Sequence, residues 1–507
     1  MDENSSGNVT NAKIAPQVQA IVSLASAGNF AEAVALANSI SDSNVASAAW
    51  RVLSEVNANM QRWTEAISAI ENALKRDPNS HPLKLERALL LEQAGDTARA
   101  LAELESLVRE APPSPQLLAH LAALLSSEGR MEDAEALLVD ALKRWPAHAA
   151  LHTQLARLRW QRGEGLEAMR HIEQAIEQHP REMHLRLVAA DLLRQAGAGQ
   201  QALEWLVQGL ERVPESATFL TSAGALLEGM DRVDEAMKYL RDAQRRSPRS
   251  PAVRRNLVPA LLRTGAAAEA RTLLDGLLLE FPDDQLLVAQ RATALRLLGD
   301  PEYERLYDYA RLVKTFTLRP PPPFVDSADF NAAFAGELGK LHRGVRHPLE
   351  QSLRGGSQTE RNLPRDNPVV AAFFSMLDAP IRAYMAALRP GDRTHPVDRR
   401  NSGAYRLSGS WSVQLQPGGY HIDHVHPRGW LSSAYYVTLP DVSDEDSRAG
   451  WIRFGEPGTR IAGLHAEHFV RPEAGMLVLF PSYMWHGTVP FTTGETRLTA
   501  AFDVLPP

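Results

Sequence analysis

The chain has 507 residues, which at ordinary domain sizes divides into about two to four domains. Hydrophobic residues at 44% and charged residues at 23% make an ordinary globular composition, read here as lacking an apolar run near the roughly 20 residues of a membrane helix, and a formal charge of -7 argues against a large nucleic-acid surface. There is no cysteine, which excludes disulfides and thiolate metal sites and makes a reducing, cytoplasmic setting the expectation.

Residues 1–12, MDENSSGNVTNA, are polar and slightly acidic, with neither the basic start nor the apolar centre of a secretory signal, and are expected to be a disordered tail. From 13 to 317 a fixed period governs the sequence. Prolines stand at Pro78, Pro112, Pro146, Pro180, Pro214, Pro248 and Pro282, each step being 34 residues. Glycines keep the step at Gly95, Gly129, Gly163, Gly197, Gly265 and Gly299, with Asp231 as the exception. Ala66, Ala100, Ala134, Ala168, Ala202, Ala236 and Ala270 keep it too; a further series, Ala88, Ala122, Ala156, Ala190, Gly224 and Ala292, breaks only at Val258. The physical reading is two helices per period: glycine ends the first, small residues let the pair pack closely, and proline stops the second. This pattern resembles the tetratricopeptide repeat. Seven units run in register from about Ser47 to Asp284, a degenerate one with Gly28 precedes them, and a last helical pair is expected to reach about Thr317.

Stacked repeats bury a continuous core and leave a concave groove, commonly a surface for a peptide or protein. Positions nine, twelve and thirteen of each unit are expected to face it. In register these are Arg157, Trp160, Gln161, Asp191, Arg194, Gln195, Arg263 and Arg296. A polar, arginine-rich lining with Trp160 as anchor favours an acidic or mixed peptide.

Residues 318–325 contain Pro320, Pro321, Pro322 and Pro323, a stiff extended linker at which a domain boundary is expected. Residues 326–507 form the second domain. Its first part, to about 390, reads as helical. Beyond 400, short alternating runs such as SWSVQLQ, LSSAYYVTL and TRLTAAFDV, separated by Gly, Pro and Asp, read as strands of a sandwich or jelly roll. The fold class expected is therefore α+β multidomain, an all-α repeat solenoid followed by a jelly roll with supporting helices.

The run Gly418-Gly419-Tyr420-His421-Ile422-Asp423-His424-Val425-His426-Pro427 holds three histidines and a carboxylate. On a regular strand, residues two apart share a face, so His424 with His426 and His421 with Asp423 are alternative metal pairs pointing opposite ways. Chance supplies an H-x-H on the order of 0.5 times in such a chain, so context matters. Sixty residues on, His486 follows an apolar strand, and Arg497 and Thr499 share a strand face. Two near ligands and a distant histidine leave open metal positions, as a non-haem iron oxygenase requires. An inward arginine beside a hydroxyl suits a ligand carboxylate.

On QSLRGGSQT at 351–359, GGYHIDHVHPRGWLSSAYYV, GWIRFGEPG, the stretch Phe480-Pro481-Ser482 to His486, and Arg497-x-Thr499, the C-terminal region resembles prolyl-hydroxylase-like iron and 2-oxoglutarate oxygenases. The resemblance is nearest to bacterial proteins that join tetratricopeptide repeats to such a domain, and spans about 190 residues. It implies a double-stranded β-helix, metal ligands at His424, His426 and His486, and Arg497 with Thr499 on 2-oxoglutarate, Tyr436 and Gln414 being weaker partners. It also implies Fe(II), 2-oxoglutarate and O2, with hydroxylation as the usual outcome. Most relatives outside this group carry a carboxylate where this chain has His426. The pair His421 and Asp423 would restore one and stays open. Three imidazoles suit Fe(II), zinc and nickel alike. The repeats favour a peptide or protein substrate, with no nucleic acid and no membrane; oligomeric state is undetermined. The alternative is a repeat scaffold with a degenerate or cupin-like domain of another class. His465 and His468 are expected at the surface, and Trp411, Trp430, Trp451 and Trp485 in the core.

Overall fold

The structure, a computed structural model, describes residues 16–26, 29–59, 62–110, 113–342, 352–359, 362–389, 391–441, 448–492 and 494–506. The expected tail and the sequence markers Gly28, Pro112 and Gln351 lie outside the described residues. The chain packs as two compact units, Met1–Leu124 and Leu125–Pro507, and the four prolines at 320–323 fall inside the second.

Within the first unit, the helix Trp63–Arg76 shows why these segments coil and pair. Its buried residues Ala66, Ala69, Ile70, Ala73 and Leu74 fall at three- and four-residue spacing and make one apolar stripe. Glu65 in the first turn and Lys75 and Arg76 in the last complement the helix dipole. Ala66, Ala88 and Ala100 of the periodic series are all buried without exposure.

In the second unit the period is realised as helix pairs, among them Ala217–Gly229 with Val233–Arg246 and Pro251–Arg263 with Ala267–Glu280. The exception in the glycine series obeys the same rule as its neighbours. Asp231 takes the left-handed conformation at φ 67°, as Gly197 does at 81° and Gly265 at 78°. Aspartate tolerates that region better than most residues. The small-residue series is set by closeness: a Cβ on Gly224 would stand 2.5 Å from Leu240 Cγ.

The last repeat helix is Gln285–Leu298. The helical pair expected to reach Thr317 is two short turns, Glu302–Leu306 and Tyr309–Leu312, after which the chain becomes strand β1, Lys314–Thr317. The sequence KTFT, β-branched and aromatic, suits a pleated edge better than a helix. The remaining strands are β2 (Leu353–Gln358), β3 (Arg406–His421), β4 (Leu431–Thr438), β5 (Ile452–Phe454), β6 (His468–Val470), β7 (Met476–Pro481), β8 (His486–Thr488) and β9 (Arg497–Leu505). They form two antiparallel sheets, one in the order β1-β7-β4-β9-β3-β2 and one in the order β6-β5-β8.

Pro368–Ala387, which holds an 18-residue window of mean hydropathy 1.3, corrects the reading that no apolar run approaches membrane length. It folds as two helices, Pro368–Ser375 and Asp378–Ala387, that bury Phe373, Ile381 and Tyr384. Phe373 packs 5.2 Å from Tyr435 of β4. A single hydrophobic core takes in Val288, Ala289, Ala292 and Leu295 of the last repeat helix together with Trp430, Tyr435, Phe480 and Phe502 of the β region.

Candidate metal centre

The chain leaves the ladder of β3 at His421 and is no longer a regular strand when it reaches His424. His424 and His486 then exchange backbone hydrogen bonds, each N–H donating to the other's carbonyl at 3.0 Å, while the His426 N–H donates to Ser482 O at 3.0 Å. These bonds bring three rings together, with centroids 4.3 Å apart for His424 and His486, 5.3 Å for His424 and His426, and 5.2 Å for His426 and His486. One ring nitrogen of each lies within 4.8 Å of the others.

The second nitrogen of each ring is already committed. His424 Nδ1 meets Ile422 O at 2.8 Å, His486 Nδ1 meets Met484 O at 2.9 Å, and His426 Nδ1 meets Asp503 Oδ1 at 2.6 Å. Carbonyl and carboxylate oxygens only accept, so each Nδ1 carries a proton and Nε2 is the nitrogen left to face a metal. Burial, reinforced by neighbouring imidazole, holds the His424 ring down at about 3 and puts His486 well below the usual histidine range. Neutral imidazoles converging through Nε2 are what a divalent metal requires.

The alternative pair is split by the fold. Because the chain turns after β3, His421 lines the same pocket as His424 and His426, contrary to strict alternation. Its ring stacks on His424 at 5.5 Å, and its Nδ1 lies 3.0 Å from Ser352 Oγ. Asp423 instead pairs with Arg453, whose Nε donates to Oδ1 at 3.1 Å and whose Nη2 engages Oδ2. Burial pushes the Asp423 carboxyl up to about 6 against the pull of that arginine.

Arg497 and Thr499 of β9 enter the same pocket, both buried, at 3% and 5% exposure. Arg497 Nε is buried without a hydrogen-bond partner, and the guanidinium carbon lies 5.0 Å from the centroid of the buried Tyr436 ring. Burial raises the Tyr436 hydroxyl, so it is a neutral donor. Tyr436 stands opposite Thr499 in the ladder and faces the site, whereas Tyr435 turns away and donates to Asn331 Oδ1 at 2.7 Å. Gln414 is a correction. It sits opposite Leu498, while Val413 and Leu415 sit opposite Thr499 and Arg497, so strand alternation puts it on the other face. Trp411, expected in the core, lines the pocket with its ring 5.5 Å from His426. Asp503 was also missed. Its signal was a lone carboxylate in the otherwise apolar end of β9.

With this geometry established, comparison with known proteins is informative. Residues 409–503 match the family model described as Putative 2OG-Fe(II) oxygenase, and residues 19–81, 58–115, 153–217 and 227–292 match tetratricopeptide repeat models. The chain carries tetratricopeptide repeats and a C-terminal 2OG-Fe(II) oxygenase domain. Solved structures similar to it include a tetratricopeptide repeat protein from Parabacteroides merdae, at 18% identity over 48% of this chain and 97% of that one, with a TM-score of 0.31. A prolyl-4-hydroxylase from Pseudomonas putida aligns at 17% identity over 40% of this chain and 97% of that one, with a TM-score of 0.26. No curated protein matches.

The last repeat helix bonds directly to the histidine-bearing segments of the C-terminal domain. The Gln285 N–H donates to Pro427 O at 3.0 Å, next to His426. Trp485, next to His486, donates its indole N–H to Thr293 Oγ1 at 3.1 Å and its backbone N–H to the Tyr307 hydroxyl at 3.1 Å. Arg296 donates to Gly455 O at 2.8 Å and to His465 O at 3.1 Å, and pairs with Glu467 at 2.9 Å. His468 stacks on Tyr309 at 5.0 Å and so belongs to this seam, whereas the His465 side chain is exposed, as expected.

These contacts revise the expected groove. Trp160 is 5% exposed and packs in the repeat core with Ile172 and Leu193, so it anchors no ligand. Arg263 is taken by Glu228 and Asp231, and Arg296 by the oxygenase domain. Arg157 is half-buried, and Arg194 is exposed and bonded to Asp191 at 2.7 Å. Helical spacing found these positions; which side of the stripe turns inward was decided by packing against the next repeat.

Proposed function

We propose that His424, His426 and His486 hold Fe(II), that Arg497 grips the distal carboxylate of 2-oxoglutarate, and that the oxygenase domain hydroxylates a side chain of a peptide or protein brought by the repeats. The observation that carries this reading is Arg497. It is a buried guanidinium with no acidic partner among the described residues, in one pocket with three histidines whose rings cluster there. An isolated buried charge is costly, so the site is built for an anion that arrives from outside. Thr499 and the Tyr436 hydroxyl stand beside it to bond the same carboxylate. A metal-dependent cupin of another class has no use for that arginine.

When bound, Fe(II) supplies the oxygen chemistry in which 2-oxoglutarate and O2 become succinate and CO2 while one oxygen atom enters a substrate C–H bond. The chain's own residues bind and orient. The backbone pair between His424 and His486 fixes two rings, Asp503 fixes the third, and Trp411 and Ile452 wall the pocket with apolar surface. The two antiparallel sheets fit a double-stranded β-helix. Anaerobic addition of Fe(II) and 2-oxoglutarate to the full chain should give the weak visible charge-transfer band of their chelate. Its absence, with both shown to bind, would overturn the oxygenase reading.

A further inference from the structure

We propose that Asp503 is the carboxylate of this metal centre, acting on the metal through His426 as a positioning residue; the proposal rests on the metal reading above. Three neutral imidazoles bring no charge to a divalent ion, whereas the usual facial triad of such iron sites brings one carboxylate. This chain places a carboxylate one imidazole further out. Asp503 Oδ1 accepts from His426 Nδ1 at 2.6 Å and from Ser432 Oγ at 2.8 Å. Ser432 Oγ lies 2.8 Å from Ser482 Oγ, and Ser482 O takes the His426 backbone N–H, so ring and backbone of His426 are both held by this small network.

The surroundings are arranged for that role. Asp503 stands opposite Ser408 on one side of β9 and opposite Ser432 on the other, small residues that leave room for the imidazole. Its side chain is 17% exposed, and among the described residues no lysine or arginine pairs with it. Its bonds to the His426 ring and the Ser432 hydroxyl need only an acceptor oxygen, which an amide also offers. His424 and His486 face neutral carbonyls, so His426 alone of the three is backed by a carboxylate, and the asymmetry of a two-histidine, one-carboxylate set is retained.

The test uses the full chain and Co(II) as probe. Asp503→Asn keeps the shape and an acceptor for the ring N–H but removes the charge. Co(II) affinity, measured by competition with a chelator, should fall by about 10- to 100-fold, the range for an outer partner of a metal-bound histidine. The melting temperature of the metal-free variant should be unchanged or higher, which a merely structural aspartate would not give. Unchanged Co(II) affinity overturns the proposal, as does a variant whose metal-free form is destabilised or fails to fold. If the unaltered chain takes no Co(II), the metal reading itself falls; if it does and Asp503→Asn binds equally, only this inference falls.

Discussion

The Trp485 indole N–H donates to Thr293 Oγ1 at 3.1 Å, so the residue before a proposed metal ligand is anchored on the last repeat helix. Thr293→Val keeps the volume and removes the acceptor, leaving a buried donor unsatisfied at about 1 to 3 kcal/mol. The variant should unfold at lower denaturant concentration and bind Co(II) less tightly, and Thr293→Ser should restore both. A Thr293→Val chain that titrates like the unaltered protein would show that the helix only covers the site.

Arg497→Ala should weaken 2-oxoglutarate binding at least about a hundredfold, the expectation when one partner of a buried ion pair is removed at about 3 to 5 kcal/mol. Co(II) affinity should persist, since a guanidinium offers no lone pair to a metal. Isothermal titration of both ligands checks this; an unchanged 2-oxoglutarate isotherm would remove Arg497 from the site.

Replacing His424, His426 or His486 with Ala should abolish metal binding. Asp423→Asn should spare it, because that carboxylate is spent on Arg453 rather than on the cluster. Metal analysis of the purified variants decides between the two sets, and loss of metal from Asp423→Asn alone would restore the alternative pair.

Acid should loosen the repeats at His171. Burial first, then its stacked neighbour His152 5.1 Å away and Arg159, pushes His171 down to about 3. Between the unfolded value near 6.5 and that folded value, the unfolded chain binds a proton that the folded one refuses, so stability falls as pH drops through this window. At pH 5 the loss relative to pH 8 is on the order of 2 kcal/mol. Denaturant titrations across this range should show the slope, and His171→Gln should flatten it.

Trp160→Ala should behave as a core truncation, costing about 3 to 5 kcal/mol, with no selective effect on peptide affinity. Equilibrium denaturation measures the first and fluorescence anisotropy with a labelled acidic peptide the second. Weaker peptide binding at unchanged stability would return Trp160 to a groove.

The 34-residue step was legible because each repeat meets only its neighbours, so the same small residue is needed at the same offset each time. Even the irregular position, Asp231, proved to hold the same left-handed turn. Arg497 and Thr499 were legible together because strand alternation ties them to one face. Gln414, which the resemblance implied, fails on that same parity, since it alternates with Val413 and Leu415. Asp503 reaches His426 from another strand 77 residues away, a pairing that no local pattern encodes. Likewise, nothing in the helical sequence RATALRLL at 291–298 says that Thr293 will bond an indole of the oxygenase domain.

Strand β1 has a consequence for how the chain survives its own synthesis. Its four residues precede the proline run, yet they pair along β7, with Lys314 opposite Leu479 and Thr317 opposite Met476. The β7 sequence MLVLFP is apolar throughout, and an uncovered edge of that kind is a template for pairing between chains. Emerging before every other strand of the sheet and carrying a lysine, β1 is a guard made ahead of the edge it covers. A cut after Thr317, the natural place to separate repeats from oxygenase by sequence, would discard that guard and leave a fragment prone to aggregate.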